Sequence, residues 1–270
     1  MTRADDAADL ELLADGTLEV AGRIVEASNA TLLATVRRGE RSAACVYKPV
    51  AGERPLWDFP DGTLAAREVA AYEVSAAAGF DVVPPTVLRD GPLGPGSVQL
   101  WVDHPADRGP GAGLVDVVAP GDVRAGWLPV LQAYDADGDP VVLVHADDPR
   151  LAVVAVFDAV VNNADRKAGH VLVDDAGRVR GVDHGLTFHV EDKLRTVLWG
   201  WAGRPLPDDA RARLEGLRTA LADGTLAGRL AALLDRDELV ALTRRTADLL
   251  DTGTLPRPGA GRPLIPWPPF

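Results

Sequence analysis

A single cysteine, Cys45, in a chain of 270 residues excludes an internal disulfide framework and any cysteine zinc cluster. It fits a reducing compartment, and the expected localisation is cytoplasmic. Basic charge is also short: 28 Lys and Arg stand against 40 Asp and Glu, a net charge of −12. That balance argues against a non-specific nucleic-acid binder and against docking on anionic membranes. Long apolar runs are missing too; the longest, 151–161, is interrupted by Asp158 and too short to span a bilayer. The acidic start, MTRADDAADLELL, lacks the apolar core of a signal peptide. Neither a nucleic-acid partner nor integral membrane association is therefore expected. Gly-rich phosphate loops, G-x-x-x-x-G-K-[ST] and H-E-x-x-H are absent, and the lack of G-x-S-x-G weakens a hydrolase reading.

Lysine and asparagine are scarcer still. Lys48, Lys167 and Lys193 are the three lysines, the other 25 basic residues being arginine, and Asn29, Asn162 and Asn163 are the three asparagines. Such usage fits GC-rich coding. A lysine that survives it points to a place where a compact ammonium serves and a planar guanidinium does not, as at a phosphate site.

What is present is a strand-rich start and a helical end. Residues 1–17 read as an acidic segment, either a short helix or irregular. Strands are expected at 19–26, 31–37 and 42–50, joined by turns at Ser28-Asn29-Ala30 and Arg38-Gly39-Glu40. Thr63 is placed to N-cap a helix over 64–78 that Gly79 closes. Val87-Leu88 and 97–102 read as two further strands. Residues 103–126, rich in Gly, Pro and Asp, read as an interlobe connection and a mobile loop. Asp148-Pro149 starts a helix that runs to about Asn162. A hairpin of 170–173 and 179–183 turns at Asp174-Asp175-Ala176-Gly177. Helices at 208–222, 225–234 and 236–250 follow, the last with an Asp235/Glu238 capping box. The expected class is α+β, a two-lobed protein-kinase-like fold. It comprises an acidic segment 1–17, a small antiparallel-sheet nucleotide-binding lobe 18–102, a mainly helical catalytic lobe 103–252 and a Pro-rich tail 253–270.

The chemistry-bearing stretch is NNADRKAGHVLVDDAGRVRGVDHG, Asn162 to Gly185. Two acids flank one hairpin, each beside basic or imidazole groups. Asp165 follows a buried helix and is placed to orient an acceptor hydroxyl and take its proton, while Asp183, at a strand end, is placed to hold Mg²⁺. Arg166 and Lys167 either neutralise transferring phosphate or cap the helix. His170 either ligates a metal or serves as a structural hydrogen bonder, and His184 and His189 are candidates for supporting or core roles. Lys48, in CVYKPV, can reach nucleotide phosphates from its strand, and Glu68, on the 64–78 helix, can hold it there; Glu73 is the competing partner. The backbone N–H groups of Ser28-Asn29-Ala30 and the Ser28 hydroxyl can hold a phosphate. Gln99 and Trp101, at the end of the last small-lobe strand, complete the candidate nucleotide-binding set. Trp199, Trp201 and Trp267 can line an acceptor pocket, but core packing is the preferred reading.

Asp165-Arg-Lys-Ala-Gly-His170 followed by Asp183-His-Gly185 resembles the D-R-H-x-x-N … D-F-G pair of phosphatidylinositol 3-/4-kinases and HipA-like kinases. Lys48 in YKP and Glu68 in AAREVAAYEVS extend the resemblance into the small lobe, so that it runs from about Leu18 to Leu250. The chain looks like a bacterial family related to phosphatidylinositol 3-/4-kinases. That resemblance implies ATP and Mg²⁺ bound between two lobes and phosphoryl transfer to a hydroxyl of a protein or small molecule. It does not carry over lipid specificity. Two residues depart from the pattern: His170 stands where the family has a metal-binding Asn, and Lys167 where it has the loop His. Imidazole is the softer ligand, which opens Mn²⁺ or a single-metal site. Nucleotidyl (AMP) transfer and a catalytically weak, nucleotide-binding pseudokinase stay open as alternatives.

Overall fold

The structure is a computed structural model that describes residues 3–24, 29–60, 62–104, 111, 113–259 and 263–270. Helix α1 (Arg3–Asp15) leads into a five-stranded antiparallel sheet of β1 (Thr17–Arg23), β2 (Leu32–Arg38), β3 (Arg41–Pro49), β4 (Thr86–Gly91) and β5 (Gly94–Leu100). The spatial order is β1-β2-β3-β5-β4. Strand β3 shows how the sequence sets its two faces. Cys45, Tyr47 and Pro49 alternate with Val46 and Lys48; the first set is buried, and Cys45 and Tyr47 join Leu12 and Leu13 of α1 in one apolar cluster. Lys48 is thereby turned to the opposite face. Gly96 of β5 makes the register possible, because a Cβ there would stand 2.5 Å from the Lys48 carbonyl oxygen.

Helix α2 (Leu64–Ala78) follows the expected boundaries, and Gly79 closes it in the left-handed conformation at φ +69. Its start is a correction. Thr63 makes no side-chain cap. Instead the Glu53 carboxylate accepts from the Leu64 and Ala65 amides at 3.1 and 2.9 Å, an acid at the positive end of the helix dipole. Thr63 Oγ1 donates to the Pro60 carbonyl at 2.8 Å.

A second correction concerns 103–126. The chain there does not run as one loop: β6 (Val115–Val118) pairs with β8 (Pro140–Ala146), which also pairs with β7 (Trp127–Tyr134), giving a sheet of order β6-β8-β7. Val115, Leu128 and Leu143 carry this sheet into the main core. The β7–β8 connection is held by Asp135, whose carboxylate accepts from the Asp137 and Asp139 amides.

Helix α3 (Pro149–Val161) is buried along Leu151–Val161 and forms the centre of the large lobe. Its N-cap is Asp148, accepting from the Arg150 amide at 2.8 Å, as the Asp-Pro pair foretells. Around it pack the hairpin β9 (Val171–Val173) with β10 (Val179–Gly181) and helices α4 (Asp208–Ala222), α5 (Thr225–Leu230) and α6 (Arg236–Thr252). The capping box at Asp235 and Glu238 is present with both of its hydrogen bonds. The architecture is an antiparallel-sheet lobe and a mainly helical lobe, mixed α and β. No helix among the described residues is long and apolar enough to cross a membrane.

Candidate active site

The floor of the site is built from the end of α3 outward. Asn162 caps that helix in the left-handed conformation at φ +55. Its amide donates to the carbonyls of His189 and Glu191 and its oxygen accepts from the Lys193 amide. Asp158, one turn earlier and fully buried, accepts from Asn163 Nδ2 at 3.0 Å and from Arg166 Nε and Nη2 at 2.8 and 2.9 Å. Asn163 Oδ1 in turn accepts from the Asp165 amide at 2.9 Å. Arg166 is itself fully buried, and its remaining donors reach Val182 O, His170 O and His184 Nε2. All five guanidinium N–H groups are thus engaged. Arg166 braces the loop from beneath and does not face the cleft. Asp158, Asn162 and Asn163 carry this bracing, and the sequence signals for them were slight: an acid inside an apolar helix and two members of a scarce residue type.

Above the brace, the candidate catalytic groups converge. Lys48 Nζ donates to Glu68 Oε1 and, at 2.8 Å, to Asp183 Oδ1. Glu68, rather than Glu73, is therefore the partner of Lys48; Glu73 pairs with Arg229 at 2.7 Å. The other Glu68 oxygen accepts from the His184 amide at 2.9 Å, tying α2 to the Asp183 loop. Asp183 sits in the left-handed region at φ +59, a conformation rare outside glycine and tolerated by Asp. His170 Nε2 lies 3.3 Å from Asp183 Oδ2. Lys167 Nζ lies 3.7 Å from Asp165 Oδ2.

The electrostatics divide the two acids. Burial raises the Asp165 carboxyl to about 6, against the pull of Lys167. Burial also acts to raise Asp183, but the Lys48 ammonium is the largest of the causes that outweigh it and hold that carboxyl far below the usual range. One acid is poised to exchange a proton near neutrality, and the other stays ionised. His170 is pushed down to about 4, burial being the largest cause. Its Nδ1–H donates to the Asp165 carbonyl oxygen at 3.1 Å, so the neutral ring presents the Nε2 lone pair toward Asp183 Oδ2. Two lone pairs facing across that gap suit a shared cation. Among the described residues no group of three or more His, Cys, Asp or Glu is placed to hold a metal ion. A carboxylate oxygen with an imidazole nitrogen is a softer donor pair than an all-oxygen one, and two residues leave the rest of a cation's shell to phosphate oxygens and water.

The remaining expected residues are more dispersed. Ser28 lies outside the described residues. Asn29 Oδ1 accepts from the Arg54 amide at 2.9 Å, which pins its turn to the segment before α2. Gln99 is buried opposite Val46 of β3, with its amide donating to Thr86 Oγ1 at 2.9 Å. Trp101 follows β5, partly buried, its backbone amide given to the Ala44 carbonyl at 3.0 Å. Trp201 is a core residue that donates to Asp147 at 2.7 Å, and Trp199 donates to the Leu264 carbonyl at 2.7 Å. Trp267 departs from the core reading, being 83% exposed. His184 is buried beneath the loop, and His189 packs edge-on to Phe59 with ring centres 5.3 Å apart.

This sheet lobe and helical lobe, with a lysine–glutamate pair and two acids across a hairpin, define a protein-kinase-like fold. Two crystal structures of the Golgi casein kinase share it. The one with Mn and ADP bound aligns at a TM-score of 0.56 and 13% identity, covering 93% of this chain and 76% of that one. The other aligns at 0.51, again with 13% identity, over 93% and 75% of the two chains. No family model matches the chain. In sequence it is 55% identical over 275 residues to Protein Rv2133c of Mycobacterium tuberculosis (strain ATCC 25618 / H37Rv), covering all of this chain and 98% of that protein. The chain belongs to the family of Protein Rv2133c.

Proposed function

We propose that this protein is an ATP-dependent phosphotransferase that moves the terminal phosphoryl group to a hydroxyl of a protein or small molecule. The observation that carries the reading is Lys48, bridging Glu68 and Asp183 across the cleft. A phosphotransferase needs a cation held over the nucleotide phosphates and an ionised acid beside it. The Golgi casein kinase structure with Mn and ADP supports nucleotide and divalent metal as ligands. The order of motifs resembles that of phosphatidylinositol 3-/4-kinase-related and HipA-like kinases, while the chain's acidity speaks against a lipid acceptor.

In this reading the nucleotide lies between the 18–102 lobe and the 103–252 lobe, over Gln99 and Trp101. Lys48 neutralises phosphate charge and Glu68 fixes its direction. Asp165 accepts the acceptor hydroxyl's proton as the new O–P bond forms and the bond to the departing ADP breaks. Lys167, beside Asp165, offsets the charge brought by the phosphoryl group. Asp183 and His170 would hold Mg²⁺ or Mn²⁺, which would neutralise charge on the phosphate oxygens. Because an imidazole takes the usual place of an amide at His170, transfer of AMP is the second reading. Intact mass spectrometry after incubation with ATP and either metal separates them: the expected product carries phosphate, and a mass gain of AMP selects the second reading. Asp165→Ala is expected to abolish transfer while ATP still binds. No modification and no ATP-dependent thermal stabilisation with either metal would refute the proposal.

A further inference from the structure

We propose that α2 is mechanically part of the large lobe, and that Arg67 and Glu238 are positioning residues that keep Glu68 docked on the Asp183 loop whether or not a ligand is bound. The inference deepens the proposed function and rests on it only for the meaning of the docked state. The apolar clusters draw the boundary. Ala70, Ala71, Tyr72, Val74 and Ala78 of α2 belong to the cluster centred on α3, and Leu64 packs with Ala164 and Leu186, on either side of the catalytic residues. Among the described residues the sheet's own buried cluster, built from α1, β1, β2, β3 and β5, takes no residue from α2, which lies against β4 and β5 at the edge of the sheet.

Apart from the Lys48–Glu68 contact, the Arg67 contact with Thr63 and the Val82 and Val83 amides held by Ser75 Oγ, the side-chain polar contacts of α2 run to the large lobe. Arg67 is buried, donates to the Thr187 carbonyl at 2.6 Å and to Thr63 Oγ1 at 3.2 Å, and pairs with the buried carboxylate of Glu238 on α6. Glu238 uses its second oxygen on the Asp235 amide at 3.0 Å, within the cap of its own helix. Thr187 Oγ1 donates to the His184 carbonyl at 2.7 Å, and His184 donates its amide to Glu68. Adjacent residues of α2 therefore grip the same short loop at two points. Glu68 takes its start and Arg67 its end, and Arg67 bolts both to α6. Pulling α2 away would strand two buried opposite charges, which is strongly disfavoured. In protein kinases the corresponding lysine–glutamate contact is a point of control through movement of the helix. Here the body free to move is the sheet with α1, so Lys48 comes to Glu68 and not the reverse.

Hydrogen exchange on the ligand-free full chain tests this. The expected result is that amides of α2, of 184–188 and of the first turn of α6 exchange as one cooperative unit, distinct from β1–β3. Glu238→Gln preserves size and removes the charge. It is expected to speed exchange in all three segments by a common factor and leave the β2–β3 hairpin unchanged. Exchange of α2 in step with the sheet overturns the proposal, as does a Glu238→Gln effect confined to α6. Should that variant fold poorly, the wild-type pattern alone decides. No nucleotide enters this experiment. Protection of Lys48 from amine acylation by ATP and Mg²⁺, read against Lys193, separately tests the reading of the site. Either result can fail without the other.

Discussion

Replacing Asp158 by Asn removes one charge and one acceptor from the least exposed part of the molecule. Asp158 and Arg166 both have fully buried side chains, and three hydrogen bonds of 2.8–3.0 Å converge on the carboxylate. Asparagine offers one oxygen to the three donors and turns an NH₂ group toward the others. Breaking a buried pair by removing one partner costs about 3–5 kcal/mol, because the other charge is left uncompensated. For a chain of this size each kcal/mol lowers the melting temperature by about 2–4 °C, so a fall of roughly 6–20 °C is expected. Differential scanning fluorimetry and urea unfolding measure it, with Arg204→Ala as the control. That residue's ion pair with Asp147 is half exposed on both sides, so its loss is expected to cost less than about 1 kcal/mol. The predicted loss is also local. The Asp165 amide depends on Asn163, which depends on Asp158, so the proposed phosphotransfer should fall even at temperatures where the variant is folded. A melting temperature within about 2 °C of wild type would refute the assignment of this pair as the brace of the catalytic loop.

Two further outcomes follow from the charge states. If Asp165 accepts the acceptor's proton, log kcat/KM should drop with unit slope as pH falls below about 6, since the protonated acid cannot act; a flat profile from pH 5 to 8 would remove Asp165 from that role. His145 is buried in the β8 region, with Nε2 accepting from the Gly200 amide at 3.0 Å and its pKa pushed down to about 4, chiefly by burial. Its folded pKa lies below its ordinary 6.5, so its contribution to stability is present above about pH 6.5 and is lost as pH falls toward 4. In urea titrations His145→Gln should flatten the fall of stability over that window; an unchanged slope would show that other groups set it.

Elements whose cause is local were legible in the sequence. The turn at Arg38-Gly39-Glu40 opens β3, Gly79 ends α2, Asp148-Pro149 starts α3, and Asp235 with Glu238 starts α6. The sheet formed by β6, β7 and β8 was hidden because Gly, Pro and Asp signal turns without revealing that the short stretches between them pair. The cap of α2 was misplaced for a related reason. Glu53, eleven positions before Leu64, takes the work expected of Thr63, and no spacing rule spans that distance. Of the residues expected at the site, Lys48, Glu68 and Asp183 are in contact and Asp165 lies beside Lys167; their expectation came from the types and order that phosphoryl transfer demands. Asp158, Asn163 and Arg67 were not expected, since a buried polar partnership depends on which helices meet. Lysine scarcity proved a mixed guide. Lys48 and Lys167 lie at the site, whereas Lys193 pairs with Asp58 at 2.6 Å, its ammonium 5.1 Å from the centre of the Trp57 ring.

Cys45 lies on the buried face of β3 beneath α1, wholly inaccessible, its thiol pushed up to about 11 by burial. Reaction with a thiol reagent therefore has to wait until α1 lifts from the sheet. With one sulfhydryl in the molecule, each label incorporated records one such lifting event. The rate of labelling is a clock for the outer layer of the sheet lobe.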